Sequence, residues 1–225
     1  MTAPTGHARS PRRLVLLRHG RTEWNKLGKA QGHADVSLDE VGLLQARRAA
    51  PLLASYGPVF VWSSDLARAR ETALEVVALT GHELVLDKRL REYDVGARQG
   101  MTREQFRASF PEQFAAYRAG DEDARIPGAE VTAEVRERML DVLGTAAESV
   151  QPGETGILVG HGASLRTGIM AFFGVPVEIR EMLAGMSNGA WTVVEQHHAY
   201  GWQIVDYNAQ NLPEPVSLDD DPLPR

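Results

Sequence analysis

The sequence predicts an α/β fold: a three-layer sandwich with a mostly parallel central sheet, one late strand antiparallel, and helices on both faces. Leu14-Val15-Leu16-Leu17, Val59-Phe60-Val61-Trp62 and Ile157-Leu158-Val159 are short continuous apolar runs, the pattern of strands buried on both faces. Helical patterns lie between these runs, and such alternation is what a parallel sheet with crossover helices requires. With 225 residues, 43% of them apolar, the chain is long enough to bury a sizeable core in one domain.

The elements follow in order. After the first strand, a helix is expected to open at Ser37, with Glu40 completing a capping box, and to continue through Val41, Leu44 and Leu52. The second strand leads into a helix from Asp65 to Leu79, which Gly81 closes as a left-handed cap. Arg98 to Pro127 is polar with scattered aromatics (Phe106, Phe110, Phe114, Tyr117), and is expected to be helical cover over one end of the sheet. A helix from about Ala129 to Val150 precedes the third strand. The next, Ser164 to Phe173, puts Leu165, Ile169, Phe172 and Phe173 on one face. Trp191 to Val194 and Trp202 to Tyr207 read as strands joined by a short connection, so one of them runs antiparallel. Residues 1–11 and the Pro/Asp-rich 209–225 are expected to be tails, leaving 12–208 as a single domain.

Composition removes several classes of function. Without cysteine there is no disulfide framework, thiolate metal site or cysteine nucleophile. Lys plus Arg is 24 against 30 for Asp plus Glu, a net charge of -6, so no nucleic-acid partner is expected. No apolar run approaches the roughly 20 residues of a membrane span, and residues 1–11 lack the apolar centre of a secretory signal. A cytoplasmic protein with no membrane partner is the expectation.

In an open parallel sheet the ligand lies beyond the carboxyl ends of the strands. Arg18, His19 and Gly20 follow the first run; Ser63, Ser64 and, at the start of a helix, Arg68 follow the second; Gly160, His161 and Gly162 follow the third. Two histidines and two arginines can therefore converge on one crevice, with glycines allowing close backbone approach. Arginines at that mouth would repel a divalent cation, and no His-x-x-x-His spacing is present, so no metal is expected. A phosphate fits better, because guanidinium forks match its oxygens and a helix N-terminus adds a favourable dipole. One histidine can then serve as nucleophile and the other as clamp.

Arg18-His19-Gly20 with Thr22 and Asn25, the segment Ser63 to Thr72, Leu90-Arg91-Glu92, and Gly160-His161-Gly162 together resemble the histidine phosphatase superfamily, which includes the cofactor-dependent phosphoglycerate mutases. The resemblance spans Leu14 to Tyr207. It implies that His19 is the nucleophile that becomes phosphohistidine, that Arg18, Arg68 and His161 clamp the phosphate, and that Asn25 adds a contact to a phosphoryl oxygen. Glu92 is implied as the proton donor to the leaving oxygen, and no cofactor is implied. Arg21 stands where the family often has Glu or Gln, and Gly96-Ala97-Arg98-Gln99-Gly100 where it often has Gly-x-Trp-Glu-Gly. Arg21, Arg91 and Arg98 are thus expected to make the rim basic, favouring a substrate with a second negative group. Gln31 and Gly32 stand where relatives line the pocket entrance, and Gly162 completes the expected rim. His7, His33, His82, His197 and His198 carry no partner pattern and are expected at the surface.

The expected function is a phosphomonoesterase acting on a small phosphorylated metabolite, such as a phosphoglycerate derivative, through phosphohistidine. Glu92 to Gly128 is compact, whereas the mutases carry a longer segment there. Gly160 to Arg166 is closer to the mutase pattern, so a cofactor-dependent phosphoglycerate mutase is the alternative, and a silent binding relative is a third. Gly185 to Trp191 followed by Trp202 to Asn208 resembles the ending of actinobacterial small phosphatases, including those acting on glucosyl-3-phosphoglycerate. A late edge strand gives a homodimer a place to pair.

Overall fold

The computed structural model describes residues 10–120 and 125–210. The tails expected at either end lie for the most part outside them, as 1–9 and 211–225. The strands are β1 (Arg12–Arg18), β2 (Pro58–Ser63), β3 (Leu84–Leu86), β4 (Thr155–Gly160), β5 (Trp191–His197) and β6 (Gly201–Ala209). The helices are α1 (Glu23–Lys26), α2 (Glu40–Ser55), α3 (Ala67–Thr80), α4 (Arg103–Ser109), α5 (Pro111–Ala119), α6 (Thr132–Ser149) and α7 (Gly162–Phe172).

The strands form one sheet in the order β3-β2-β4-β1-β5-β6. β3, β2, β4 and β1 pair in parallel, while β5 is antiparallel to both β1 and β6. β5 is therefore the one strand running against the rest, as the short β5–β6 connection requires. Side chains alternate across the sheet, and in β4 and in β1 from Leu14 onward those on both faces are buried. Val15 and Leu17 pack with Leu53 of α2 and with Ala69, Ala73 and Val76 of α3. Leu14 and Leu16 pack with Val135, Met139 and Leu143 of α6 and with Leu165 and Ile169 of α7. Each such Val or Leu contributes about 1.5–3 kcal/mol on burial, so the apolar runs are what hold the three layers together.

Two details differ from the sequence reading. Asp39, not Ser37, caps α2, its carboxylate accepting the Gly42 N–H at 2.8 Å. Val41, Leu44 and Leu52 are exposed, and the buried face of α2 is Gly42, Ala46, Ala49, Ala50 and Leu53. Four small residues on that face let the helix approach the sheet closely, with Leu53 the large side chain it buries. The cap expected at Gly81 is present, with φ 72°. In the aromatic stretch, Phe106 is buried and makes ring contacts with Phe110, Phe114 and Tyr117 on α4, α5 and the turn between them. Among the described residues no helix is long and apolar enough to cross a membrane.

Candidate active site

The sheet itself brings the chemistry together. Arg18 of β1 pairs in register with Gly160 of β4, and Ser63 of β2 with Val159 of β4. His19, His161 and Ser64 therefore leave three adjacent parallel strands side by side. The two imidazoles meet edge to face with ring centroids 5.1 Å apart. Ser64 Oγ lies 2.9 Å from His161 Nε2.

The turn after β1 is built on close backbone contact. A Cβ on Gly20 would lie 2.3 Å from the Gly42 carbonyl oxygen, and one on Gly42 would lie 2.0 Å from the Arg21 carbonyl oxygen. Glycine at both positions lets the turn sit directly on the start of α2. The Gly20 N–H donates to Thr72 Oγ1 at 3.0 Å, and that hydroxyl donates to the Arg68 carbonyl at 2.7 Å, tying the turn to α3. On the other side Asn188 Nδ2 and the Gly189 N–H both donate to the His19 carbonyl at 3.1 Å.

His19 is 3% exposed. Its Nδ1 lies 2.6 Å from the Gly20 carbonyl oxygen. A carbonyl only accepts, so Nδ1 carries the proton and Nε2 keeps its lone pair. Burial first, then Arg68 and Arg18, push its pKa well below 6.5, which keeps the imidazole neutral at pH 7. His161 is pushed the same way by burial, then by Arg68.

Arg68, at the start of α3, is fully buried. Its Nε donates to His161 Nδ1 at 3.1 Å, and Nη2 and Nη1 donate to the Gly32 and Ala34 carbonyls, each at 2.8 Å. Burial pulls its pKa down to about 10, which leaves it charged at neutral pH. Because Arg68 must be the donor, His161 Nδ1 is the bare nitrogen and Nε2–H faces Ser64. Arg18 is buried with Nη1 donating to the Met186 carbonyl. Gly162 makes room for it, since a Cβ there would stand 3.1 Å from the guanidinium carbon.

Glu92 reaches the same crevice from the loop after the 3-10 turn Lys88–Leu90. Its carboxylate accepts the N–H groups of Ser164 at 2.9 Å, Ala163 at 3.0 Å and Tyr93 at 2.9 Å, and so caps α7 from a distant segment. Asn25 is buried, and its Oδ1 accepts from Thr22 N and Oγ1 in the capping box of α1. Its side-chain amide nitrogen takes no part in that capping box.

The rim differs from a simple basic mouth. Arg21 is ion-paired with Asp39 at 2.8 Å, and Arg91 forks onto Asp65 at 2.5 and 2.6 Å, holding that carboxyl below its usual range. Arg98 lies over the rings of Phe106 and Tyr117, 4.8 and 5.3 Å from their centroids. Gln31 is 9% exposed, and its buried Oε1 has no hydrogen-bond partner among the described residues. Gly32, with φ +53°, has no space for a side chain because Val95 Cγ2 stands 2.6 Å from its Cβ position. Sequence reasoning left Asn188 and Ser64 without a role and placed His33 at the surface. In the structure His33 is half-buried with Nε2 2.9 Å from the Glu92 carbonyl oxygen. The signal for Asn188 lay in the Gly185–Trp191 segment; nothing local marks His33. No three His, Asp or Glu side chains among the described residues are grouped to hold a metal ion.

Comparison with known proteins identifies the family. Residues 14–210 match the histidine phosphatase superfamily (branch 1). A glucosyl-3-phosphoglycerate phosphatase of Mycolicibacterium vanbaalenii is 36% identical over 194 residues, covering 83% of this chain and 85% of its own. A 2,3-bisphosphoglycerate-dependent phosphoglycerate mutase of Azorhizobium caulinodans is 36% identical over 168 residues, covering 71% and 80%. A mycobacterial glucosyl-3-phosphoglycerate phosphatase, solved in complex with VO3, superposes with a TM-score of 0.78 at 35% identity, covering 88% of this chain and all of that one. The chain belongs to the histidine phosphatase superfamily.

Proposed function

We propose that this protein is a phosphomonoesterase that hydrolyses a small phosphorylated metabolite through a phosphohistidine on His19. The carrying observation is a neutral, buried imidazole, its Nε2 lone pair fixed by the Nδ1–H bond to Gly20, set beside Arg18 and Arg68. Nε2 attacks phosphorus in line, the P–N bond forms as the P–O bond to the alcohol breaks, and the guanidinium groups absorb charge on the equatorial oxygens. His161 holds Arg68 through Nδ1, and its Nε2–H, given to Ser64 in the structure, is the donor it would offer a phosphoryl oxygen. The Asn25 amide supplies a further donor.

An alkoxide is a poor leaving group, and Glu92 is the carboxyl group in place to protonate it. As carboxylate it then takes a proton from the water that attacks phosphohistidine, which returns His19 and releases phosphate. Hydrolysis rather than phosphoryl return is supported by the compact cover of α4 and α5. For substrate class, Arg98 is the rim arginine that no carboxylate among the described residues pairs, so a substrate carboxylate would meet it there. A phosphoglycerate derivative, including the glucosylated ester named for the mycobacterial relatives, fits that rim.

Comparing 3-phosphoglycerate, its glucosylated ester and neutral sugar phosphates under one condition tests this. The expected result is inorganic phosphate from the phosphorylated acids, faster than any interconversion of 2- and 3-phosphoglycerate. A dominant mutase rate would overturn hydrolysis. Preference for a neutral sugar phosphate, unchanged in Arg98→Ala, would overturn the carboxylate reading while leaving the chemistry at His19 intact.

A further inference from the structure

We propose that His33 is a positioning residue for Glu92, referencing that carboxyl group to the phosphate clamp; this rests on the assignment of Glu92 as proton donor above. His33 lies between Gly32 and Ala34, the two residues whose carbonyls take the Nη2 and Nη1 donors of Arg68. The arginine that clamps the phosphate therefore fixes the backbone on both sides of His33. From that strap the imidazole crosses to the loop bearing Glu92, with Nε2 2.9 Å from the Glu92 carbonyl oxygen. Since the carbonyl can only accept, Nε2 carries a proton toward it, and Nδ1 lies 3.5 Å from Asp94 Oδ2, a contact that becomes an ion pair when Nδ1 is protonated as well.

The Glu92 carbonyl has a second donor, Arg138 Nη2 of α6 at 3.0 Å, so both of its lone pairs are used. The two donors differ in what they refer to. Arg138 also donates to the Arg89 and Arg91 carbonyls and pairs with Glu130, gripping the whole loop against α6. His33 is the donor that comes from the segment Arg68 holds. Its bond closes a chain from guanidinium to strap, strap to imidazole, and imidazole to the residue that delivers the proton. Gly32 makes the approach possible, because its missing side chain lets the strap lie against Val95, three residues past Glu92.

The consequence is specific to proton delivery. Without the His33 donor, Arg138 and the α7 amides still hold Glu92 nearby, but its placement relative to the phosphate is looser. An alkyl leaving group needs the proton; p-nitrophenolate leaves without it. The test is the single-turnover rate of phosphoenzyme formation with an alkyl phosphate and with p-nitrophenyl phosphate, in His33→Leu, His33→Gln, Glu92→Gln and the Glu92→Gln/His33→Leu pair. Expected is a fall of about 10-fold for the alkyl ester in His33→Leu with the nitrophenyl ester within about 2-fold. His33→Gln, whose amide can stand where Nε2 stood, should recover most of the loss. His33→Leu should add nothing further once Glu92 is Gln.

Equal loss on both esters, no rescue by Gln, or full additivity with Glu92→Gln would overturn the proposal. The nitrophenyl ester also reports whether a variant is folded. If Glu92→Gln itself slows both esters alike, the assignment of Glu92 as acid fails and the role of His33 falls with it. If Glu92→Gln discriminates between the esters and His33→Leu does not, only the proposal for His33 is lost.

Discussion

Lowering the pH from 7.5 to 5.5 should remove folding stability through His19 and His161, by at most about 3 kcal/mol for the pair, the limit reached when neither imidazole takes up a proton in the folded protein. Both imidazoles are held neutral well below 6.5, chiefly by burial and then by neighbouring charge, with Arg68 the largest charged cause for each. In the unfolded chain they titrate near 6.5. Below that value the unfolded chain binds protons that the folded protein refuses, so the stability is fully present above the unfolded pKa. It is lost as the pH falls from there toward the depressed folded value. At pH 7.5 an unfolded histidine is only about one-tenth protonated, and at pH 5.5 about nine-tenths, so each imidazole that stays neutral in the folded protein costs on the order of 1 kcal/mol over that interval. Urea unfolding at the two pH values measures the difference, and His19→Gln/His161→Gln removes both titrating groups while leaving all others in place. The double variant should lose most of this pH dependence and each single variant part of it. Variants that keep the wild-type pH dependence, or two imidazole resonances found titrating near 6.5 in the folded protein, would refute the claim that the site holds its histidines neutral.

Two further outcomes follow from the same geometry. Gly42→Ala would place a Cβ 2.0 Å from the Arg21 carbonyl oxygen, so it should cost about 1–3 kcal/mol in urea unfolding and lower kcat by moving the turn that carries His19. Unchanged stability and rate would show that this contact yields freely. Activity should be insensitive to EDTA, because in the proposed mechanism the cationic Arg18 and Arg68 do for the phosphoryl oxygens what a metal would do; complete loss restored by one divalent ion would contradict that.

Much of the site was legible in the sequence, because neighbouring parallel strands end together. Once Leu14–Leu17 and Ile157–Val159 were read as buried strands, His19 and His161 had to leave the same edge, and the register of β1 on β4 makes them neighbours. Gly81 was legible for a similarly local reason, since a left-handed cap needs no distant partner. Apart from the face that α2 buries, the misses are matters of distant pairing. Ser37 and Glu40 match a capping box by spacing, yet Asp39 is the cap, on a segment held by Glu71 at Leu38 and by Arg21 at Asp39. The charge of Arg21 and Arg91 can be read from sequence, but not that Asp39 and Asp65 neutralise them across 18 and 26 residues. His33 showed no local pattern, because its partner is a backbone carbonyl 59 residues away, and a carbonyl belongs to every residue type. Asn25 turned out to serve the local role open to any asparagine, bonding its own turn, and it has an amide left over.

The central claim is a covalent phosphoenzyme on His19, and trapping it is the most direct measurement. Phosphohistidine is labile in acid and stable in alkali, so brief incubation with labelled substrate and an alkaline quench preserves it. The wild type should carry the label, with loss on mild acid treatment, and His19→Ala should carry none. A label of the same stoichiometry in His19→Ala, or one that survives acid, would place the phosphoryl group on another residue and contradict the account.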